Sequence, residues 1–235
     1  MGNLLYPGRF GVAGPANGLL NDLLHFYNLN EASGNRVDSH GSADLTEQGG
    51  TVPYDAGFDG ADFDFGPTLT FGDGVTTGVS ITGTEFTIAW WCNLDLNNTA
   101  GFYDIGGTGA SGGVAWSSYL IGAASFVRVF TDGIQLQEGG TLVPLTTTKL
   151  VAHTYDGTDH KIWVDGVEQA TANPGAVGGF TTKRLQIGLG DDDGSPRGLN
   201  GRLKRFGIWD TALSPALMTA FYNGGTPLDY SDLTT

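Results

Sequence analysis

The side chains able to do chemistry in this sequence are mostly aspartates and aromatic rings. Asp191, Asp192 and Asp193 run together before Gly194. Calcium takes about six to eight oxygen ligands, so carboxylates beside a glycine turn are where it would sit, and Asp191 and Asp193 are candidate ligands. The run lacks the alternating Asp/Asn spacing of a calcium loop, so a solvated acidic turn stands beside the metal reading. Aromatic rings stack on sugar faces, and carboxylates accept sugar hydroxyls. Tyr103 and Asp104 in the Gly-rich stretch NNTAGFYDIGGTGASGG, Trp116 after it, and Asp191 and Arg197 in DDDGSPRG are therefore candidate glycan contacts. The plainer alternative for the rings is packing at a sheet edge.

Catalytic patterns are absent. A glycosidase needs two carboxylates about 5–9 Å apart, one of them with a raised pKa. The five glutamates, Glu31, Glu47, Glu85, Glu138 and Glu168, have no acidic residue two positions away, while Asp62 and Asp64 share a strand face. His153 and His160 fall on the two arms of one hairpin, but no third ligand stands at zinc spacing. Nucleophile elbows, phosphate loops and dinucleotide fingerprints are missing. The expectation is a protein that is not an enzyme and needs no cofactor beyond such a calcium. The lone Cys92, inside FTIAWWCNL, reads as a buried structural thiol.

The elements that position these residues follow from composition. In 235 residues there are 39 Gly, 13 Phe, 8 Tyr and 5 Trp, with only 15% charged residues. So much glycine opposes helices, each costing about 1 kcal/mol in a helix interior, and the aromatics oppose disorder. A formal charge of −14 repels phosphate backbones and anionic membranes, so no nucleic-acid partner is expected. No run approaches the roughly 20 apolar residues of a membrane span, and the N-terminus lacks a signal-peptide pattern.

In EFTIAWWCNLD, Phe86, Ile88 and Trp90 share one face and Ala89 and Trp91 the other, so both faces are covered, as expected inside a sandwich. KLVAHTYDGTDHKIWVDGVEQ reads as a hairpin with Asp-Gly turns at 156–157 and 165–166. In GRLKRFGIWD, Leu203 and Trp209 are expected to face one way and Phe206 and Ile208 the other. Ser214 caps a helix over about 215–222, with Pro215 first and Gly224 as its left-handed terminator. The pattern predicts twelve to fourteen strands, one helix and an all-β, two-sheet antiparallel sandwich. Residues 1–20 form a Gly/Pro-rich extended arm and 21–235 the domain.

These stretches resemble the laminin-G-like, concanavalin-A-like jelly rolls of bacterial surface proteins and phage virion proteins. LLHFYNLNEASGNRVDSHGSADLT is similar to that family's first strand and loop. GFDGADFDFG and EFTIAWWCNLD resemble the next signatures. LVAHTYDGTDHKIWVDG resembles its hairpin, and LNGRLKRFGIWDTALSPALMTAFYNGG its last strand and closing helix, so the likeness runs over about residues 22–225. It implies a concanavalin-A-like jelly roll, and it makes Asp38 and Asp44 candidate ligands of a structural calcium. Many relatives complete that site with acidic residues where this chain has Lys204 and Arg205.

The expected function is a phage virion structural protein, either a capsid decoration or a fibre component. Its N-terminal arm, through Leu4, Leu5, Tyr6, Arg9 and Phe10, would anchor it to other virion proteins such as the major capsid protein or a fibre. A cyclic homo-oligomer such as a trimer is expected. The rival is a lectin-like module binding host or surface glycans, located extracellularly or on a cell surface rather than on the virion surface.

Overall fold

A computed structural model of the chain describes residues 18–72, 76–96, 101–106, 114–121, 126–131, 134–137, 143–173, 180–192 and 195–233. Two antiparallel sheets stack as a sandwich. The first comprises β1 (Leu23–Tyr27), β3 (Tyr54–Asp55), β4 (Gly60–Asp64), β7 (Phe86–Leu94), β12 (Lys149–Tyr155), β13 (His160–Val164), β14 (Val167–Ala172) and β18 (Asn200–Trp209). Its order is β14-β13-β12-β7-β18-β4-β3, with β1 also on β18. The second comprises β2 (Thr46–Gln48), β5 (Thr68–Phe71), β6 (Val79–Ile81), β8 (Gly101–Gly106), β9 (Val114–Ile121), β10 (Phe126–Thr131), β11 (Ile134–Gln137) and β15 (Phe180–Ile187). Here the order is β11-β10-β9-β8-β15-β5-β2, with β6 on β15, and β16 (Leu189–Asp192) and β17 (Ser195–Gly198) make a separate ribbon. The jelly-roll sandwich expected from the sequence is thus present. Strands exceed the expected number, and among those described β2, β3 and β6 are only two or three residues long and carry no visible alternation.

Alternation in β7 builds two cores. Phe86, Ile88, Trp90, Cys92 and Leu94 enter the cluster between the sheets. Ala89 and Trp91 enter a second cluster on the outer face, with Leu19, Leu23, Phe26, Trp209, Met218, Phe221 and Leu233. That outer cover is not a second sheet. It is α1 (Pro215–Tyr222), with the ring of Tyr222 stacked 5.8 Å from Trp91, plus the chain ends near Leu19 and in α2 (Tyr230–Leu233). Ser214 accepts the Leu217 N–H at the helix start, while Asn223 (φ 47) is left-handed one residue before the expected Gly224 (φ 62).

One expectation for β18 fails. Leu203 lies in the inter-sheet core together with Phe206 and Ile208, and only Trp209 joins the outer cluster. The register against β7 slips between Lys204 and Gly207, where Arg205 has φ 50. This bulge inserts one residue and reverses the alternation for the preceding half of the strand.

Both hairpin turns form as read. Asp156 accepts the N–H groups of Thr158 (3.1 Å) and Asp159 (2.7 Å), and Asp165 and Gly166 are both left-handed, as a two-residue hairpin turn requires. The arm residues Leu4, Leu5, Tyr6, Arg9 and Phe10 lie outside the described residues. Gly18–Leu20, counted above with the arm, already dock: Leu19 is buried and its carbonyl accepts the Trp209 indole N–H at 2.6 Å.

Candidate functional site

The expected glycan contacts do not converge on the surface. Residues 101–106, read as loop, form β8, which pairs with β9 and β15. Tyr103 (0% exposed) and Trp116 (1%) therefore point into the inter-sheet core, where no sugar reaches them. Tyr103 spends its hydroxyl on His153 (3.0 Å), and Trp116 packs edge-on against Phe86 at 4.4 Å. Asp104 is buried beside Ser117 on the neighbouring strand. These three are corrected from surface contacts to interior residues. Asp191 and Arg197 occupy register positions opposite Pro196 and Gly190 in the ribbon, but their side chains, and all of Asp193, lie outside what is described.

Asp38 is buried at the mouth of the first loop. Its Oδ1 accepts N–H from Phe26 (3.1 Å), His40 (3.3 Å) and Gly41 (2.9 Å), and its Oδ2 accepts from Ala43 (3.1 Å) and the His25 ring (2.7 Å). Burial opposes the charge, but these donors outweigh it and hold the carboxyl at a pKa of about 2. A Cβ on Gly41 would overlap Asp38 Oδ2 and the Leu24 carbonyl, so the loop closes on the carboxylate with nothing between.

Asp44 in turn accepts the Asp38 N–H at 2.9 Å. A carboxylate offers about four lone-pair sites, and five donors already use them. Asp38 therefore has no bonding capacity left for a calcium and ties the loop to β1 instead, while Asp44 is exposed and takes one recorded donor, the Asp38 N–H. Among the described residues no three His, Cys, Asp or Glu side chains group to hold a metal. At the Lys204–Arg205 position a side-chain cation sits among oxygens: Arg205 bonds the Asp59 carbonyl (2.9 Å) and the carboxylates of Asp59 (2.5 Å) and Asp229 (2.7 Å).

An open polar surface lies where α1 no longer covers the first sheet. Asp62 pairs with Arg202, Arg202 with Asn93, and Asp64 with Asn200, so these side chains share the outer face. Asn200 Nδ2 donates to Asp64 at 3.1 Å. Arg202 donates to Asp55 and, at 2.8 Å, to Asp95. Backbone N–H groups of Phe58 and Gly57, with Arg202, hold Asp55 below the usual carboxylate range. Asp62 moves the other way: partial burial raises its pKa, Arg202 opposes the rise, and the carboxylates of Asp95, Asp55 and Asp64 add to it.

Three strand ends meet at Leu199 and Asn200. The Phe65 N–H bonds the Leu199 carbonyl (2.8 Å) and the Asp95 N–H bonds the Asn200 carbonyl (3.2 Å). Phe65 (44% exposed) and Leu96 (48%) flank this junction, and Phe65 holds φ 54. An outward aromatic ring in a left-handed backbone, beside an amide and carboxylates, has the composition of a sugar platform. Sequence reading passed over Phe65, Asn200 and Arg202. The signal was alternation, since Asn200 and Arg202 alternate with apolar Leu199 and Leu203 as Asp62 and Asp64 do with Ala61 and Phe63.

The model of the concanavalin A-like lectin/glucanases superfamily, of the laminin G type, matches residues 70–217. None of the curated proteins matches the chain. Among solved structures, domain 4 of the extracellular arabinanase AbnA from Geobacillus stearothermophilus, in complex with arabinotriose, is similar at 17% identity and TM-score 0.64, covering 86% of this chain and 98% of that one. The Trypanosoma rangeli sialidase is similar at 15% identity and TM-score 0.64, and the chain spans 32% of it. The ligand-binding domain of botulinum neurotoxin serotype D, in complex with N-acetylneuraminic acid, matches at 12% identity and TM-score 0.62, with 52% of its length covered.

Proposed function

We propose that this chain, which belongs to the concanavalin A-like lectin/glucanases superfamily, is a carbohydrate-binding module rather than an enzyme, and that it binds neutral glycans on the open end of the first sheet. The observation that carries the reading is the exposed Phe65 ring set beside the Asp64–Asn200 pair at the junction of β4, β7 and β18. A ring of this kind stacks on the apolar face of a pyranose or furanose, while Asn200 and the carboxylates take its hydroxyls.

The charge around it selects the sugar. Arg202 is held by Asp55 and Asp95, so it is committed before any anionic sugar arrives, and Asp62 and Asp64 add negative charge. Sialic acid and arabinotriose are named with two of the similar structures. This surface favours the uncharged kind.

A finer reading concerns the carrier. β18 runs from Asn200 at the open end to Trp209, whose indole fastens Leu19 where the N-terminal arm departs. Ten extended residues separate the two by roughly 30 Å. A module tethered at one end with its binding surface at the other suits display on a particle. The carrier we propose is a virion surface, reached through Leu4, Leu5, Tyr6, Arg9 and Phe10, with the protein arranged as a cyclic homo-oligomer.

A glycan array with the full chain tests the binding reading. Saturable retention of neutral glycans, lost in Phe65→Ala and Asn200→Ala, supports it, and retention unchanged in both variants overturns it. Deleting residues 1–17 tests the tether separately. The truncated chain should keep its glycans and lose attachment to the particle.

A further inference from the structure

We propose that His153 and His160 form an acid-sensitive latch between the two sheets, which keeps the sandwich closed while both rings are neutral and opens it when either takes a proton. The two ring centroids lie 5.8 Å apart, and the side chains are 0% and 2% exposed. They project from β12 and β13 into the core. Trp116 from β9 stands edge-on to His160 at 5.0 Å, and Trp90 from β7 edge-on to His153 at 5.1 Å. Neither the mechanism of the fold nor the glycan surface uses this pair.

The hydrogen bonds around the pair suit only neutral rings. His153 Nδ1 meets the Tyr103 hydroxyl at 3.0 Å, and Nε2 lies 3.5 Å from Ser118 Oγ. A hydroxyl either donates or accepts, so a neutral imidazole is satisfied in either tautomer. An imidazolium would require both hydroxyls to accept, and among the described residues their protons would then have no recorded acceptor. His160 Nε2 has no hydrogen-bond partner among the described residues.

The groups facing the pair offer no counter-charge. They are Tyr103 from β8, Ser118 and Trp116 from β9, Trp90 from β7 and Tyr155 from β12, all uncharged; the nearest acid along β8, Asp104, stands in register with Ser117, and no carboxylate bonds either ring among the described residues. Burial holds the Tyr103 hydroxyl in its neutral form at every pH where the histidines titrate. Burial also holds His160 down to about 3 and His153 well below its ordinary value, with His160 adding to the latter effect.

Because both folded-state values are depressed, this stabilisation is complete above the unfolded value of about 6.5 and is lost progressively as pH falls below it. His160, neutral in the folded protein down to about 3, should raise the unfolding constant about tenfold for each pH unit of acidification below 6.5, and His153 adds in the same direction. Asp38, held at about 2, loses its contribution only below its unfolded value of about 3.9, and His160→Phe separates the pair from the other groups that titrate between pH 6.5 and 4.

The experiment is equilibrium unfolding of the full chain from pH 8 to 4, read by tryptophan fluorescence, with imidazole proton resonances followed by NMR over the same range. The expected result is an unfolding constant that climbs steeply below pH 6.5, with both buried imidazoles remaining neutral in the folded protein. His160→Phe should flatten the climb by one proton. If His153→Phe alone does not fold because Tyr103 loses its partner, the paired change Tyr103→Phe with His153→Phe removes both polar groups. Imidazoles that titrate near pH 6.5 in the folded state, or a pH slope unchanged in His160→Phe, would overturn the latch.

Discussion

Asp38 and the Asp62–Arg202 surface are both carboxylate-rich, both on or beside the first sheet, and opposite in design. Around Asp38 the chain supplies its own donors, four backbone N–H groups and the His25 ring, and the Gly41 backbone closes the remaining approach. Around Asp62 the carboxylates outnumber the one guanidinium between them, and an aromatic ring stands outward at the edge. The first arrangement uses up its bonding capacity in holding a loop. The second leaves bonding capacity facing solvent, which is what a ligand surface needs. Acidic residues alone therefore say little, and the count of donors already aimed at them separates scaffold from site.

The sharpest way to break this contrast is Asp38→Ala, which strands several buried N–H groups at once. A loss of about 3–5 kcal/mol is expected in denaturant unfolding. Gly41→Ala should follow closely, since its methyl would overlap the Asp38 carboxylate and the Leu24 carbonyl. A change below about 1 kcal/mol in either variant would mean the loop is held otherwise.

The pH dependence comes next in size. Asp38 is held at about 2, below its unfolded value of about 3.9, so its stabilisation is full above that value and is lost as pH falls toward 2. Asp38→Asn should remove this acid limb and leave the histidine limb above pH 4 in place.

On the open surface the effects on stability shrink. Arg202→Met should cost less than about 1 kcal/mol, because its ion pairs are partly solvated. Removing the guanidinium that bridges Asp55 and Asp95 should weaken retention of any anionic glycan further.

Smallest of all is Phe65→Gly. Its left-handed backbone suits glycine, so unfolding should change by no more than about 1 kcal/mol while glycan retention disappears. A large stability loss here would make Phe65 a core residue and remove the contrast.

Much of the architecture was legible because strand alternation and turn chemistry are local. Phe86, Ile88 and Trp90 against Ala89 and Trp91, the Asp-Gly turns, and the Ser214–Pro215 helix start each depend on neighbours a few residues away. The site was not legible in the same way. Tyr103 and Trp116 looked like ligand contacts because glycine surrounds them, yet pairing of β8 with β9 and β15 turned both inward. The Arg205 bulge reversed Leu203, since a single inserted residue in a period of two cannot be seen without the partner strand. Asp38 looked like half of a metal site until the donors from β1 were placed around it.

The sequence by itself determined an acidic, glycine-rich jelly roll with two-faced strands and one capped helix, because those features follow from propensity, periodicity and charge. Only the tertiary structure decided which aspartates are saturated, which aromatic rings remain outside, and that two histidines seven residues apart meet inside the core. Those outcomes depend on which strand pairs with which, and pairing is set by packing across the whole sandwich.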